Sequence, residues 1–195
     1  MVSMLVCYGT GEGQTAKVAD RIVDVLAERD HDTTAMNVAD VPPDFAIEEF
    51  DTVLVGASIH VGKQQSAVRE FVDDNHDALA SRPTAFFQLS ISSAGPDEER
   101  RAEAAGYADE FLETIDWQPD HIGLFGGALR YSKYGFLKRL LMKRIAKDTT
   151  GDTDTSRDYE YTDWAEVAAF ANDFAAFVEG RFGVASSGDG QARIE

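Results

Sequence analysis

The chain has 195 residues, enough for one sizeable core and, by default, one domain. Its 44% hydrophobic and 27% charged content is that of a globular protein and excludes a disordered or fibrous chain. The net charge of −17, from 35 acidic against 18 basic side chains, repels nucleic acid and suits a high-salt (halophilic) cytoplasm, where screening removes self-repulsion.

The first element reads as a strand, Val2 to Tyr8. It contains the single cysteine, Cys7, whose apolar neighbours mark it as a small core residue rather than a nucleophile. The N-terminus carries no basic leader pattern and no apolar run is long enough to span a bilayer, so a cytoplasmic protein is expected.

A loop follows, Tyr8-Gly9-Thr10-Gly11-Glu12-Gly13-Gln14-Thr15, and then a helix from Ala16 to Glu28 with Val18, Ile22, Val25 and Leu26 on one face. Strand, Gly-rich loop and helix in that order bind phosphate. The glycines let the backbone approach the anion, and loop N–H groups and the positive helix end face it. A Walker loop needs Lys where Gln14 stands, and a dinucleotide fingerprint needs Gly there, so both are excluded. What remains is a cradle of Thr10, Gly11, Glu12, Gly13, Gln14 and Thr15, suited to a phosphate monoester on a cofactor. The alternative is an ordinary strand-to-helix turn.

Further strands are predicted over Thr33 to Val38, Thr52 to Ala57, Thr84 to Leu89 and Ile122 to Gly127. Helices lie between them, one with Val68, Phe71 and Val72 inward and one from Asp97 to Ile115. The last helix, Asp163 to Glu179, has Asp163 as its cap and Trp164, Val167, Ala171, Phe174 and Val178 as its apolar stripe. The Ser/Gly-rich tail, 183–195, reads as disordered, leaving a domain over 1–179. Five strand–helix alternations give a doubly wound five-stranded parallel α/β sheet, order 2-1-3-4-5, with helices on both faces. Two more loops, Ser58 to Gly62 and Leu89 to Gly95, then join the first at the carboxyl edge of the sheet.

One stretch breaks the alternation. Residues 128–161 form an insertion after strand 5, and from Arg130 to Lys147 it carries seven cations and no acid: Arg130, Lys133, Lys138, Arg139, Lys143, Arg144 and Lys147. Phe136, Leu137, Leu140, Leu141 and Ile145 interleave with them. This is a basic amphipathic helix. It either docks its apolar face on the sheet edge or meets a membrane surface or an anionic substrate. The four His and one Cys are scattered and suggest no metal site.

With these residues in view, the chain resembles the flavodoxin-like, menaquinone-dependent protoporphyrinogen IX dehydrogenases (oxidases) of bacteria. The matching stretches are Glu12-Gly13-Gln14-Thr15, Gly56-Ala57-Ser58-Ile59, Gly127-Ala128-Leu129-Arg130-Tyr131, Thr153-Asp154-Thr155 and Tyr161-Thr162-Asp163-Trp164. The similarity runs from Met1 to about Phe177, and the pair of motifs flanking the insertion is the most specific.

The resemblance implies one FMN, a porphyrinogen-like substrate, a quinone acceptor and peripheral contact with the inner face of the cell membrane, as in haem biosynthesis. Thr10 to Thr15 would hold the FMN phosphate. Ser58, Ile59, His60, Val61 and Gly62, with Leu89, Ser90, Ile91, Ser92, Ser93 and Gly95, would flank the isoalloxazine. No catalytic residue is fixed. His60 is the candidate proton donor or carboxylate partner, against a packing role. Arg130, Tyr131, Lys133, Lys138, Arg139, Lys143 and Arg144 would meet substrate or membrane. The competing readings are a flavodoxin electron carrier whose basic insertion docks a redox partner, and a binding module without flavin.

Overall fold

The computed structural model describes residues 1–59, 62–94, 97–151 and 154–184, apart from the side chain of Leu137. His60, Val61, Gly95, Thr153 and the tail 185–195 therefore lie outside the described residues.

Five parallel strands form the central sheet in the order β2-β1-β3-β4-β5: β1 Ser3–Tyr8, β2 Asp32–Asn37, β3 Thr52–Ser58, β4 Thr84–Ser90 and β5 His121–Gly126. Each lies within one residue of its expected position. The apolar runs form strands covered on both faces: every residue of β4 is buried, as is all of β3 except Ser58. Register runs Met4↔Thr52, Val53↔Thr84 and Ala85↔His121.

Side chains alternate between two cores. Met4 and Val6 meet helices α1 (Gln14–Ala27) and α6 (Trp164–Phe182) through Val18, Ile22, Leu26, Val167 and Phe174. Leu5 and Cys7 meet α2 (Ser66–Asp74) and α4 (Glu98–Thr114) through Val68, Phe71 and Phe111. The short helix α3, His76–Ala80, adds Leu79 to that second core. Burial pushes the Cys7 thiol far above its ordinary range, consistent with a packing role.

Two helix boundaries differ from expectation by more than one residue. Helix α1 begins at Gln14, two residues early, because left-handed Gly13 (φ 95°) starts the helix with no capping side chain to mark it. Asp163 does cap α6, its carboxylate accepting from the N–H groups of Ala165 (2.8 Å) and Glu166 (3.3 Å). That helix runs on to Phe182 and stops at left-handed Gly183, whose successor Val184 donates its N–H back to Glu179 O at 2.9 Å. Gly183 and Val184 are thus part of the helix terminus.

The insertion has its own small core. Strands β6 (Ala128–Leu129) and β7 (Tyr159–Glu160) pair antiparallel and close its base. Leu129, Tyr131, Tyr134 and Ala146 are buried together, with Met142, Tyr159, Tyr161 and Ile91 packed around them. The basic helix, α5 (Phe136–Thr149), forms where the cation pattern placed it. Four of the expected apolar side chains do not dock on the sheet edge, however. Phe136 is 82% exposed and Leu140 60%, and Leu141 and Ile145 are exposed as well. The helix leans on the tyrosine cluster through Ala146 and Met142 instead.

Candidate functional site

The loops after β1, β3 and β4 meet at the carboxyl edge, and side-chain amides lock them together. Gln65 accepts the Ser58 N–H at 3.1 Å and donates to Ser58 Oγ at 2.6 Å and to Gly9 O at 3.3 Å. One side chain thus ties the first loop to the second. Gly9 N–H adds a bond to Gly56 O at 2.9 Å, and Ile59 N–H one to Leu89 O at 2.9 Å.

In the third loop the Ser90 and Ser93 hydroxyls are 2.7 Å apart, and Ser93 N–H donates to Ser90 Oγ at 3.0 Å. Ser92 donates to Glu103 (3.2 Å), and Ile91 O accepts from Ala94 N–H (3.0 Å). Buried Gln88 anchors this edge from below, donating to Ala104 O and accepting from Gln64, which also donates to Tyr107 O. Gly62 follows the second loop with φ 75°.

The first loop turns directly into α1. Gly13 N–H donates to Thr10 Oγ1 at 2.9 Å, turning the chain at left-handed Gly13 into α1. That helix opens with no capping side chain and no acid in its first turn, so no side chain offsets its positive dipole end. Gln14 and Thr15 are buried at the turn.

The loop's outer side belongs to the insertion. Lys133 Nζ donates to Glu12 O at 2.7 Å. Tyr134 OH and Lys138 Nζ donate to the two Glu12 carboxylate oxygens at 2.7 and 2.6 Å, and the Lys138 ammonium lies 4.5 Å from the Tyr134 ring centroid. Burial and the Glu12 carboxylate push the Tyr134 phenol far up, fixing it as a donor. Arg130 donates to Gln14 Oε1 at 2.6 Å and to Glu160 at 3.0 Å. Gln14 Nε2 donates to Thr162 Oγ1, which donates to Gly126 O. Glu160 also takes Lys17 at 2.9 Å and Trp164 Nε1 at 3.2 Å. Partial burial would raise the Glu160 carboxyl, but Lys17 and Arg130 hold it below the usual range. A cavity of ≈ 220 Å³ opens here, lined by Glu12, Gly13, Lys17, Arg130, Lys133 and Asp158.

The two sequence motifs flanking the insertion now have a physical meaning, since both bond Gln14 at the end of the first loop. Tyr161 N–H bonds Gly127 O at 3.0 Å, and Gly126 leaves no space for a Cβ against the Tyr161 carbonyl. The match covers sheet, loops and insertion together: residues 5–156 fit the flavodoxin domain family.

The chain belongs to that family. Its relatives include proteins named protoporphyrinogen IX dehydrogenase [quinone]. The one from Escherichia coli K12 is 36% identical over 88% of this chain and 93% of its own length. The one from Leishmania major is 36% identical over 88% and 74%. Solved structures share the fold. A flavodoxin from the domain Archaea superposes with TM-score 0.54 at 17% identity, covering 91% of this chain and 99% of that one. A short-chain flavodoxin associated with a bacterial microcompartment gives 0.56 at 14%, covering 93% and 99%.

The expected site residues divide into groups. Thr10 to Thr15, Ser58, Ile59, Gly62 and Leu89 to Ser93 share one edge of the sheet. Arg130, Lys133 and Lys138 are drawn onto the first loop, and Arg139 turns inward to donate to Tyr131 O at 2.9 Å. Tyr131 is a buried core residue. Lys143 and Arg144 face outward, exposed. Sequence reasoning missed Gln65, Tyr134, Glu160 and Thr162 as parts of the site. Thr162 carried a signal, since it lies in a flanking motif.

Proposed function

We propose the following reading of this site. The protein is an FMN-dependent oxidoreductase of the protoporphyrinogen IX dehydrogenase type, with a quinone as electron acceptor. Thr10 to Thr15 hold the FMN phosphate, and Ser58 to Gly62 with Leu89 to Gly95 border the ring. The donor set fits the group: an uncapped helix start, a left-handed glycine and hydroxyl residues form a cradle for a doubly charged monoester without any Lys in the loop. Bound FMN supplies two-electron redox chemistry between the reduced substrate and the quinone.

The chain's own residues bind and orient. The observation that carries the reading is the junction of loop and insertion. Arg130 and Lys133 stand beside Gly13 at the rim of the cradle, around a cavity in an otherwise acidic protein. Those two cations suit the propionates of a tetrapyrrole. No catalytic residue is assigned, and His60, outside the described residues, stays the candidate proton donor or carboxylate partner.

Helix α5 supports a peripheral membrane site. Phe136, Leu140, Leu141 and Ile145 stand in solvent among Lys143, Arg144 and Lys147, the composition of a helix lying on an anionic lipid surface. Such a surface also holds the quinone, which in this reading is a menaquinone, and the protein in this reading works at the inner face of the membrane. No helix among the described residues is long and apolar enough to cross a membrane. The acidic remainder suits a halophilic host.

Anaerobic mixing of the flavin-loaded protein with protoporphyrinogen tests the reading. Direct loss of flavin absorbance with appearance of porphyrin fluorescence is expected. An electron carrier would give neither without a reductase. For the membrane, Leu140→Gln/Leu141→Gln and Lys143→Gln/Arg144→Gln variants should each lose flotation with anionic vesicles. Undiminished flotation of both would remove the lipid site.

A further inference from the structure

The phosphate loop is held from outside by side chains more than a hundred residues away. Glu12 is the point of attachment. Its carboxylate takes Tyr134 OH at 2.7 Å and Lys138 Nζ at 2.6 Å, while its carbonyl takes Lys133 Nζ at 2.7 Å. The next N–H, on Gly13, points the other way, to Thr10 Oγ1. Both polar ends of the Glu12–Gly13 peptide are therefore fixed, in a turn that left-handed Gly13 makes possible. Tyr134 is anchored in its turn. Its OH accepts the Arg130 N–H at 3.1 Å, and its ring packs edge-on to buried Tyr131, 5.7 Å between centroids. Lys138 lies in the first turn of α5, so the clasp joins the cradle to the exposed basic helix.

We propose that Tyr134 and Lys138, acting through Glu12, are positioning residues for the phosphate cradle. The stretch from Arg130 to Lys138 is then a strap that makes phosphate occupancy and the order of helix α5 reciprocally coupled. The inference rests on the FMN reading above. A loop already ordered by its clasp has less conformational freedom to lose when the anion binds, so affinity rises without any new contact to the anion. Linkage requires the converse: a bound phosphate that fixes the loop also fixes the strap and the start of α5.

Riboflavin separates this from a general loss of structure, because it shares the ring of FMN and lacks the phosphate. The full-length protein, stripped of flavin, is titrated with each by flavin fluorescence. Tyr134→Phe and Lys138→Gln should each weaken FMN about tenfold, the scale of one charge-assisted hydrogen bond, and change riboflavin by less than about twofold. Glu12→Gln/Tyr134→Phe together should cost little more than the worse single change, because the two act as one unit. Tryptic cleavage within α5 should be slowed by FMN and not by riboflavin, and Tyr134→Phe should abolish the difference.

Equal weakening of both flavins, or unchanged FMN binding in both single variants, overturns the strap. Lys138 is half-exposed, so its variant keeps the test open if Tyr134→Phe folds poorly. A wild-type protein that binds neither flavin overturns the cofactor reading and the strap together. One that binds FMN with unaffected variants overturns the strap alone.

Discussion

Arg29 grips Glu179 with two parallel hydrogen bonds, Nε to Oε1 at 2.9 Å and Nη2 to Oε2 at 2.6 Å, fastening the end of α6 to the turn after α1. His31 Nε2 lies 3.1 Å from the same carboxylate, which is only 7% exposed. The Arg29 bonds hold the Glu179 carboxyl below its usual range. A carboxylate depressed in the fold contributes stability that is present above the unfolded pKa of about 4.3 and is lost as pH falls through the folded value. The urea midpoint of the wild type should therefore drop on acidification below that pH, and Glu179→Gln should flatten the drop. Arg29→Met leaves Glu179 buried beside His31 alone and should cost about 3 kcal/mol in urea unfolding at neutral pH.

Gly126→Ala tests the closing of the insertion. The new methyl meets the backbone carbonyl of Tyr161, which cannot rotate away as a side chain could. A loss of about 2 kcal/mol in urea unfolding is expected. The displaced Thr162 should also release Gln14, so FMN affinity falls with it.

Gln65→Leu keeps the side-chain volume and removes every bond between the first two loops made by that amide. The partly buried Ser58 N–H is left without this acceptor, at a cost of about 1–3 kcal/mol. FMN and riboflavin should weaken together, because the second loop moves as well as the first. Flavin fluorescence titration reads this, and its pattern is opposite to that expected of the strap variants.

The net charge of −17 makes salt a structural variable. Thermal midpoints should rise between dilute buffer and molar KCl as screening relieves repulsion among the carboxylates. A midpoint indifferent to KCl would remove the high-salt reading.

The sheet was legible because β1, β3 and β4 are short apolar runs that end in Gly/Ser-rich loops, and parallel connectivity follows from the helices between the strands. Asp163 was legible as a cap because capping is local chemistry. The β6–β7 pair was not, since two-residue strands have no period to read. Nor was the facing of α5. Helical spacing alone does not say which side chains meet the protein, and here Ala146 and Met142 turn inward while Leu140 stays in solvent. The same docking divides the cations, drawing Lys138 and Arg139 inward and leaving Lys143 and Arg144 outside. Gln65 was invisible for a different reason: an amide that bridges two loops has no sequence signature until the loops are placed.

The bonds that brace the first loop also set a timetable. Glu12 waits for Lys138, and Gln14 waits for Arg130 and Thr162, across separations of 116 to 148 residues. On the ribosome the cradle is among the first segments to emerge and among the last to be completed. A nascent chain arrested before Arg130 should therefore carry the glycine loop without the side chains that brace it, and should hold a phosphate-bearing ligand less tightly than the finished chain.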